Sequence, residues 1–136
     1  MANTLTVNNE PYGLDQTQKR IYVHGIISLT GSYTTGGETL NWQAMKYADG
    51  EAVLLDTSDT QPEVAYFQSV GSTSGGSSSG WLYQWNKKTG KLQIFGTGSG
   101  AGASHQEMAN STAYSSTTPP ITTDLIEFEA EFVKEV

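Results

Sequence analysis

The chain has 136 residues, a formal charge of −7 from 14 acidic side chains against seven Lys and Arg, and no cysteine. That length suits one domain of ordinary size, and the lack of cysteine excludes disulfides and thiolate metal sites, so packing or oligomerisation has to hold the fold. The acidic balance opposes phosphate backbones, and the densest basic group, Lys87, Lys88 and Lys91, falls on an expected turn, so nucleic acid is not an expected partner.

The start, MANTLTVNNEPYG, has neither the basic nor the apolar segment of a secretory signal. No later apolar run approaches the ~20 residues of a membrane span, so folding in a cytoplasm without a membrane partner is the expectation. Leu5 and Val7 alternate with polar residues but are bounded by Asn and Pro. That pattern suggests an extended arm over residues 1–12 ahead of a single domain over 13–136.

Residues 18–33 carry Ile21, Val23, Ile27 and Leu29 at a period of two, which predicts one long strand, or two joined by a bulge at Gly25. The segment 34-TTGGETLNWQAMKYADG-50 differs. Thr35 and Glu38 have capping-box spacing and Leu40, Ala44 and Tyr47 recur at helical intervals, so at most one short helix is expected, near residues 40–47. After the Asp49–Gly50 turn, 52-AVLLD-56 and 63-EVAYFQSV-70 read as strands, followed by a flexible polar tract, 71-GSTSGGSSSG-80.

In 81-WLYQWNKKTGKLQIFG-96, Trp81, Tyr83 and Trp85 share one strand face, and Leu92 and Ile94 share a face of the next. Gly90 suits the left-handed conformation of a hairpin loop, so a hairpin is expected with its aromatics paired across to the aliphatics and turned to the core. The turn 86-NKKTG-90 and the flanking glycine-rich loops are then the displayed parts. Last comes 124-DLIEFEAEFVKE-135, where Ile126, Phe128, Ala130 and Phe132 alternate with Glu127, Glu129 and Glu131 in a half-buried strand. The fold class is therefore all-β, with antiparallel strands of a length that spans a small sandwich.

Chemistry finds little purchase. His24 and His105 stand far apart without metal-ligand spacing, and the serines sit mostly in Gly/Ser tracts that cannot hold a nucleophile in place. The run 98-GSGAGA-103 follows a strand but lacks the helix a dinucleotide turn needs. Glu127, Glu129 and Glu131 lie within reach of one another, yet their alternation is that of any strand with one wet face. The loop 49-DGEAVLLDTSD-59 has aspartates without the EF-hand order. No catalytic residue, metal ligand or cofactor site is assigned, and the chain is not expected to be an enzyme.

The segments 26-IISLTGSYTTGGETL-40, 83-YQWNKKTGKLQIF-95, 107-EMANSTAYSS-116 and 125-LIEFEAEFV-133, in this order, resemble small head proteins of tailed bacteriophages. These are the minor capsid or decoration (cement) proteins on the outside of the icosahedral shell. The resemblance spans about residues 20–133. It implies an antiparallel β-sandwich, the jelly roll among its forms, that assembles as a homotrimer at threefold or quasi-threefold positions, with the major capsid protein as partner and no catalytic residues to carry over. The tract 71–80 and the insertion 96–105 depart from the pattern and leave the strand count open.

On that reading the protein is made in the host cytoplasm and resides in the virion, where Leu5, Val7, Pro11 and Tyr12 of the arm are candidate shell contacts, adding as a strand to a neighbour's sheet edge. The alternatives are a carbohydrate-binding module, with Trp42, Trp81, Tyr83 or Trp85 as stacking platforms, and a tail- or fibre-associated virion protein.

Overall fold

The computed structural model describes residues 2–8, 13–17, 19–53, 61–73, 75–76, 79–97, 105–117 and 119–133. Among them ten strands form two sheets: β1 (Ala2–Val7), β2 (Leu14–Gln16), β3 (Arg20–Thr30), β4 (Glu38–Thr39), β5 (Lys46–Tyr47), β6 (Val64–Ser72), β7 (Leu82–Asn86), β8 (Lys91–Thr97), β9 (His105–Glu107) and β10 (Asp124–Val133). The larger sheet runs β5-β1-β3-β10-β6, with β2 beside β3; the smaller runs β4-β8-β7, with β9 beside β8. All pairings are antiparallel except the short one between β1 and β5. The sandwich expected from the alternating segments is the architecture found.

The long strand β3 organises the larger sheet. Ile21, Val23, Ile27 and Leu29 point inward and are buried, and they meet Ile126, Phe128, Ala130 and Phe132 of β10, whose period-two pattern buries the same face. Gly25 is not a bulge: it keeps register with Val7 on one side and Phe128 on the other. The glycine is needed for close approach instead, since a Cβ there would lie 2.0 Å from the Thr6 carbonyl oxygen and 2.9 Å from the Phe128 ring. The register shift lies elsewhere, in the β10–β6 ladder between Leu125 and Ile126, where Val70 is the extra residue on β6.

The expected arm over 1–12 is corrected over its first part. Ala2–Val7 is a strand of the domain's own sheet, paired with β3 from Ala2↔Thr30 to Val7↔Gly25, and Leu5 and Val7 are buried in the core. The physical reason is the alternation itself: Leu5 and Val7 supply an apolar face, and β3 offers an edge close at hand in sequence on which that face is buried. Beyond Val7 the chain leaves β3 and rejoins it as β2, the two ends held on one residue. Asn8 N–H donates to the His24 carbonyl at 2.9 Å, and His24 N–H donates to the Gly13 carbonyl at 2.8 Å.

The helix expected near 40–47 is reduced to one turn of 3-10 helix, Trp42–Ala44, between the two-residue strands β4 and β5. Two further single turns, Tyr114–Ser116 and Ile121–Thr123, precede β10. What the first turn achieves is placement of Trp42, which is 1% exposed, between the sheets. Its ring meets Trp85 edge-on at 5.6 Å and 88°, and Phe128 and Phe132 at 5.8 and 5.6 Å. Such tilted aromatic pairs add to the area they bury, so Trp42 is the plug that joins β7 to β10. In the expected strand 52–56, Ala52 makes an isolated bridge to Lys46 and Val53 is buried; residues 54–56 lie outside the described residues.

Candidate functional site

The hairpin settles where its aromatics go. Tyr83 pairs with Ile94 and Trp85 with Leu92; Tyr83 is buried, and Trp81 and Trp85 are half-buried against the core. The Trp81 indole N–H donates to the Pro119 carbonyl at 3.1 Å, which wedges the ring over Gly96. With Trp42 and Tyr83 buried, these four residues do not form the coplanar, accessible platform that a sugar module built on them needs. The turn is as expected, with Gly90 at φ 69°.

Between the sheets runs a polar seam that joins three tyrosines to three carboxylates. Tyr83 Oη donates to Asp124 Oδ2 at 2.5 Å, Ser79 Oγ to the same oxygen at 2.8 Å and Ser69 Oγ to Oδ1 at 2.6 Å. Tyr114 donates to the buried Glu38, and Tyr33 donates to Glu107 at 2.6 Å while Gly36 N–H donates to the same carboxylate at 2.6 Å. Burial first, then the carboxylate partner, pushes all three phenols well above the usual tyrosine range. Ser69 reaches Asp124 because it continues the inward phase of Ala65 and Phe67 along β6. The tract 71–80, expected as a flexible loop, is tied at its far end: Ser79 N–H donates to Ser69 Oγ at 3.0 Å and its hydroxyl to Asp124. These carboxylates are occupied in holding the sheets together.

The solvent side of the larger sheet is different in kind. Across β3, β10 and β6 the register aligns His24, Glu129 and Tyr66 in one row and Ile26, Glu127 and Gln68 in the next. Together with Asn8 these residues line a trough of about 460 Å³. Tyr66 is 67% exposed, His24 Nδ1 lies 3.3 Å from Glu129, and Arg20 Nε lies 3.3 Å from Glu131 at the end of the face. Glu127 has no partner among the described residues. Beyond Tyr66 the edge strand β6 also exposes Val70, and β7, packed beside it, exposes Leu82.

Of the expected contact residues, Leu5 and Val7 lie in the core, where an outside partner cannot reach them, and Pro11 and Tyr12 fall outside the described residues. His24 sits on the sheet surface, as its strand pattern implied, and His105 is on β9. The pattern of 63-EVAYFQSV-70 held the missed signal: if Ala65 and Phe67 face the core, Tyr66, Gln68 and Val70 must face out together. Among the described residues no three His, Asp or Glu gather as metal ligands, and no helix is long and apolar enough to cross a membrane. Compared with known proteins, the chain matches no family model, no curated protein and no solved structure.

Proposed function

We propose that the chain is a structural protein of a tailed-phage particle, a decoration protein that binds the outside of the head and reinforces the shell. The observation that carries this reading is the pair of sheet edges lying side by side. Among the described residues, strands β6 and β7 each end a sheet, and they expose Tyr66, Val70 and Leu82. A sheet edge offers unpaired backbone groups, and natural edges are usually blunted by charge, proline or a covering element. An edge that carries aromatic and aliphatic side chains suits a surface that a neighbouring protein covers.

The acidic charge, the sandwich architecture and the resemblance to head decoration proteins agree with this. The partners on this reading are the major capsid protein and two further copies of the chain. A homotrimer touching several shell subunits gains affinity because each later contact is intramolecular, so weak individual contacts suffice. The contact surface is the β6–β7 side, since the N-terminal strand is committed to the core.

The test is composition. Particles of the virus whose genome encodes the chain, purified through a density gradient, are expected to contain it in a fixed ratio to the major capsid protein. Its absence from washed particles overturns the proposal.

A further inference from the structure

We infer that the trough on the outer face of β3, β10 and β6 receives an arginine side chain from a partner protein, its guanidinium stacked on Tyr66 and hydrogen-bonded to Glu127 and Glu129. The inference deepens the decoration reading and rests on it for the identity of the partner, the shell protein.

The argument begins with what the register places together. Glu127 and Glu129 are alternate residues of β10, so both carboxylates rise from one face, roughly 7 Å apart along the strand. Tyr66 stands directly across from Glu129 and Gln68 across from Glu127. Glu129 is 65% exposed in its side chain and shares one long contact with His24; Glu127 has no partner among the described residues. The half-buried Ile26, opposite Glu127 on β3, supplies an apolar floor. The face thus combines two carboxylates with free acceptor capacity, an exposed aromatic ring, an amide and an apolar base, in a trough of about 460 Å³.

Among common ligand groups, a guanidinium meets all of these demands at once. It is planar, carries five N–H donors that match a carboxylate in pairs, stacks on an aromatic face and is weakly hydrated. An ammonium satisfies the charge but neither the plane nor the paired geometry. A phosphate, sulfate or uronate is repelled by the two glutamates and by a chain of net charge −7. The trough also adjoins the exposed edge β6, so an arginine entering it comes from the same neighbour that covers Tyr66 and Val70. A segment lying along β6 could offer backbone to the edge and arginine to the trough together.

The experiment uses the full ¹⁵N-labelled chain and a probe peptide, acetyl-Gly-Arg-Gly-Arg-Gly-amide, followed by amide chemical shifts. Two control peptides replace arginine with citrulline, which keeps the shape without charge, and with lysine. The expected result is saturable shifts centred on His24, Tyr66, Gln68, Glu127 and Glu129, in the millimolar range for so short a probe, weakened by added salt. Lysine binds more weakly and citrulline not at all. The variants Glu127→Gln and Glu129→Gln each weaken binding roughly tenfold, as loss of one charge-assisted contact implies, and Tyr66→Leu weakens it while leaving the fold unchanged. These side chains are on the surface, and unchanged spectra away from the trough verify folding.

Equal binding of the citrulline peptide, shifts lying elsewhere, or full affinity in the Glu127→Gln/Glu129→Gln double variant overturns the inference. Saturable shifts with a neutral oligosaccharide such as cellotetraose, and none with the arginine peptide, overturn it in favour of a glycan site. Failure of the decoration reading is seen separately, as absence of the chain from particles. If the chain is present and the double variant attaches as well as the parent, the inference alone fails.

Discussion

Alanine at position 124 is expected to destabilise the domain by about 4 kcal/mol, the sum of leaving several buried hydroxyls without an acceptor. Asp124 is 6% exposed and accepts from Tyr83, Ser69 and Ser79, which belong to β7, to β6 and to the end of the 71–80 tract. One carboxylate therefore ties both sheets and the long loop, and its removal leaves Tyr83 and Ser69 with unpaired hydroxyls in the interior. For a chain of this size the change corresponds to a fall in Tm on the order of 15 °C. Thermal unfolding followed by circular dichroism measures it, with Asp15→Ala on the exposed side of β2 as a control expected to lie within about 0.5 kcal/mol of the parent. An Asp124→Ala protein as stable as that control would show that the seam contributes little. Ser79→Ala removes the hydroxyl contacts with Asp124 and the Trp81 N–H while the backbone N–H of residue 79 stays on Ser69, and is expected to cost a smaller amount, about 1 kcal/mol.

Alkali is expected to unfold the protein steeply. Tyr33, Tyr83 and Tyr114 are almost fully buried and their phenols are held above the ordinary value, first by burial and then by Glu107, Asp124 and Glu38 respectively. The folded state therefore keeps three protons that the unfolded chain releases above about pH 10. Because the folded values are raised, this contribution is fully present below the unfolded value and is lost as pH rises from there toward the folded values. Three protons correspond to about 4 kcal/mol per pH unit, against a total stability of ~5–15 kcal/mol for a domain of this kind. Unfolding is thus expected within roughly one to four units above pH 10. Tyrosinate absorbance and circular dichroism recorded on the same pH series should change together, and Tyr114→Phe should make the pH dependence shallower by about one proton. Smooth release of all phenolic protons while the β signal persists would contradict the buried seam.

Much of the architecture could be read from period-two runs, because burial of one sheet face leaves a direct mark on the sequence. The run from Ile126 to Phe132 and the Ile21–Leu29 series gave their strands and their buried faces. The hairpin could be read from Gly90 and from the need of Leu92 and Ile94 for apolar neighbours. The arm misled for a physical reason: a strand that joins its own sheet and one that joins a neighbour's carry the same alternation, and Leu5 and Val7 do not reveal whose edge they meet. Gly25 looked like a bulge because a glycine inside a strand has two explanations, an extra residue or a close neighbour, and only the position of the Thr6 carbonyl decides between them.

The seam was less legible. Glu38 and Asp124 are charged residue types, which are seldom buried unless paired, and their partners Tyr114 and Tyr83 lie 76 and 41 residues away. A partial signal did exist, since Asp124 continues the inward phase of Ile126, Phe128, Ala130 and Phe132. Ser79 had none, being one of many serines in a tract without an apolar anchor. The trough could be seen only as two separate alternations, Glu127 and Glu129 on one strand and Tyr66 and Gln68 on another. Their meeting depends on β10 pairing with β6, a contact between segments some 60 residues apart in the chain.

On the decoration reading the chain belongs to a virus particle, and averaged electron cryomicroscopy of that particle tests the reading most directly. Density for the sandwich is expected on the outer surface of the head at threefold or quasi-threefold positions, with the β6 side and the Tyr66 trough against the shell protein. Density confined to the tail or fibres, or a sandwich attached through some other face, would contradict it.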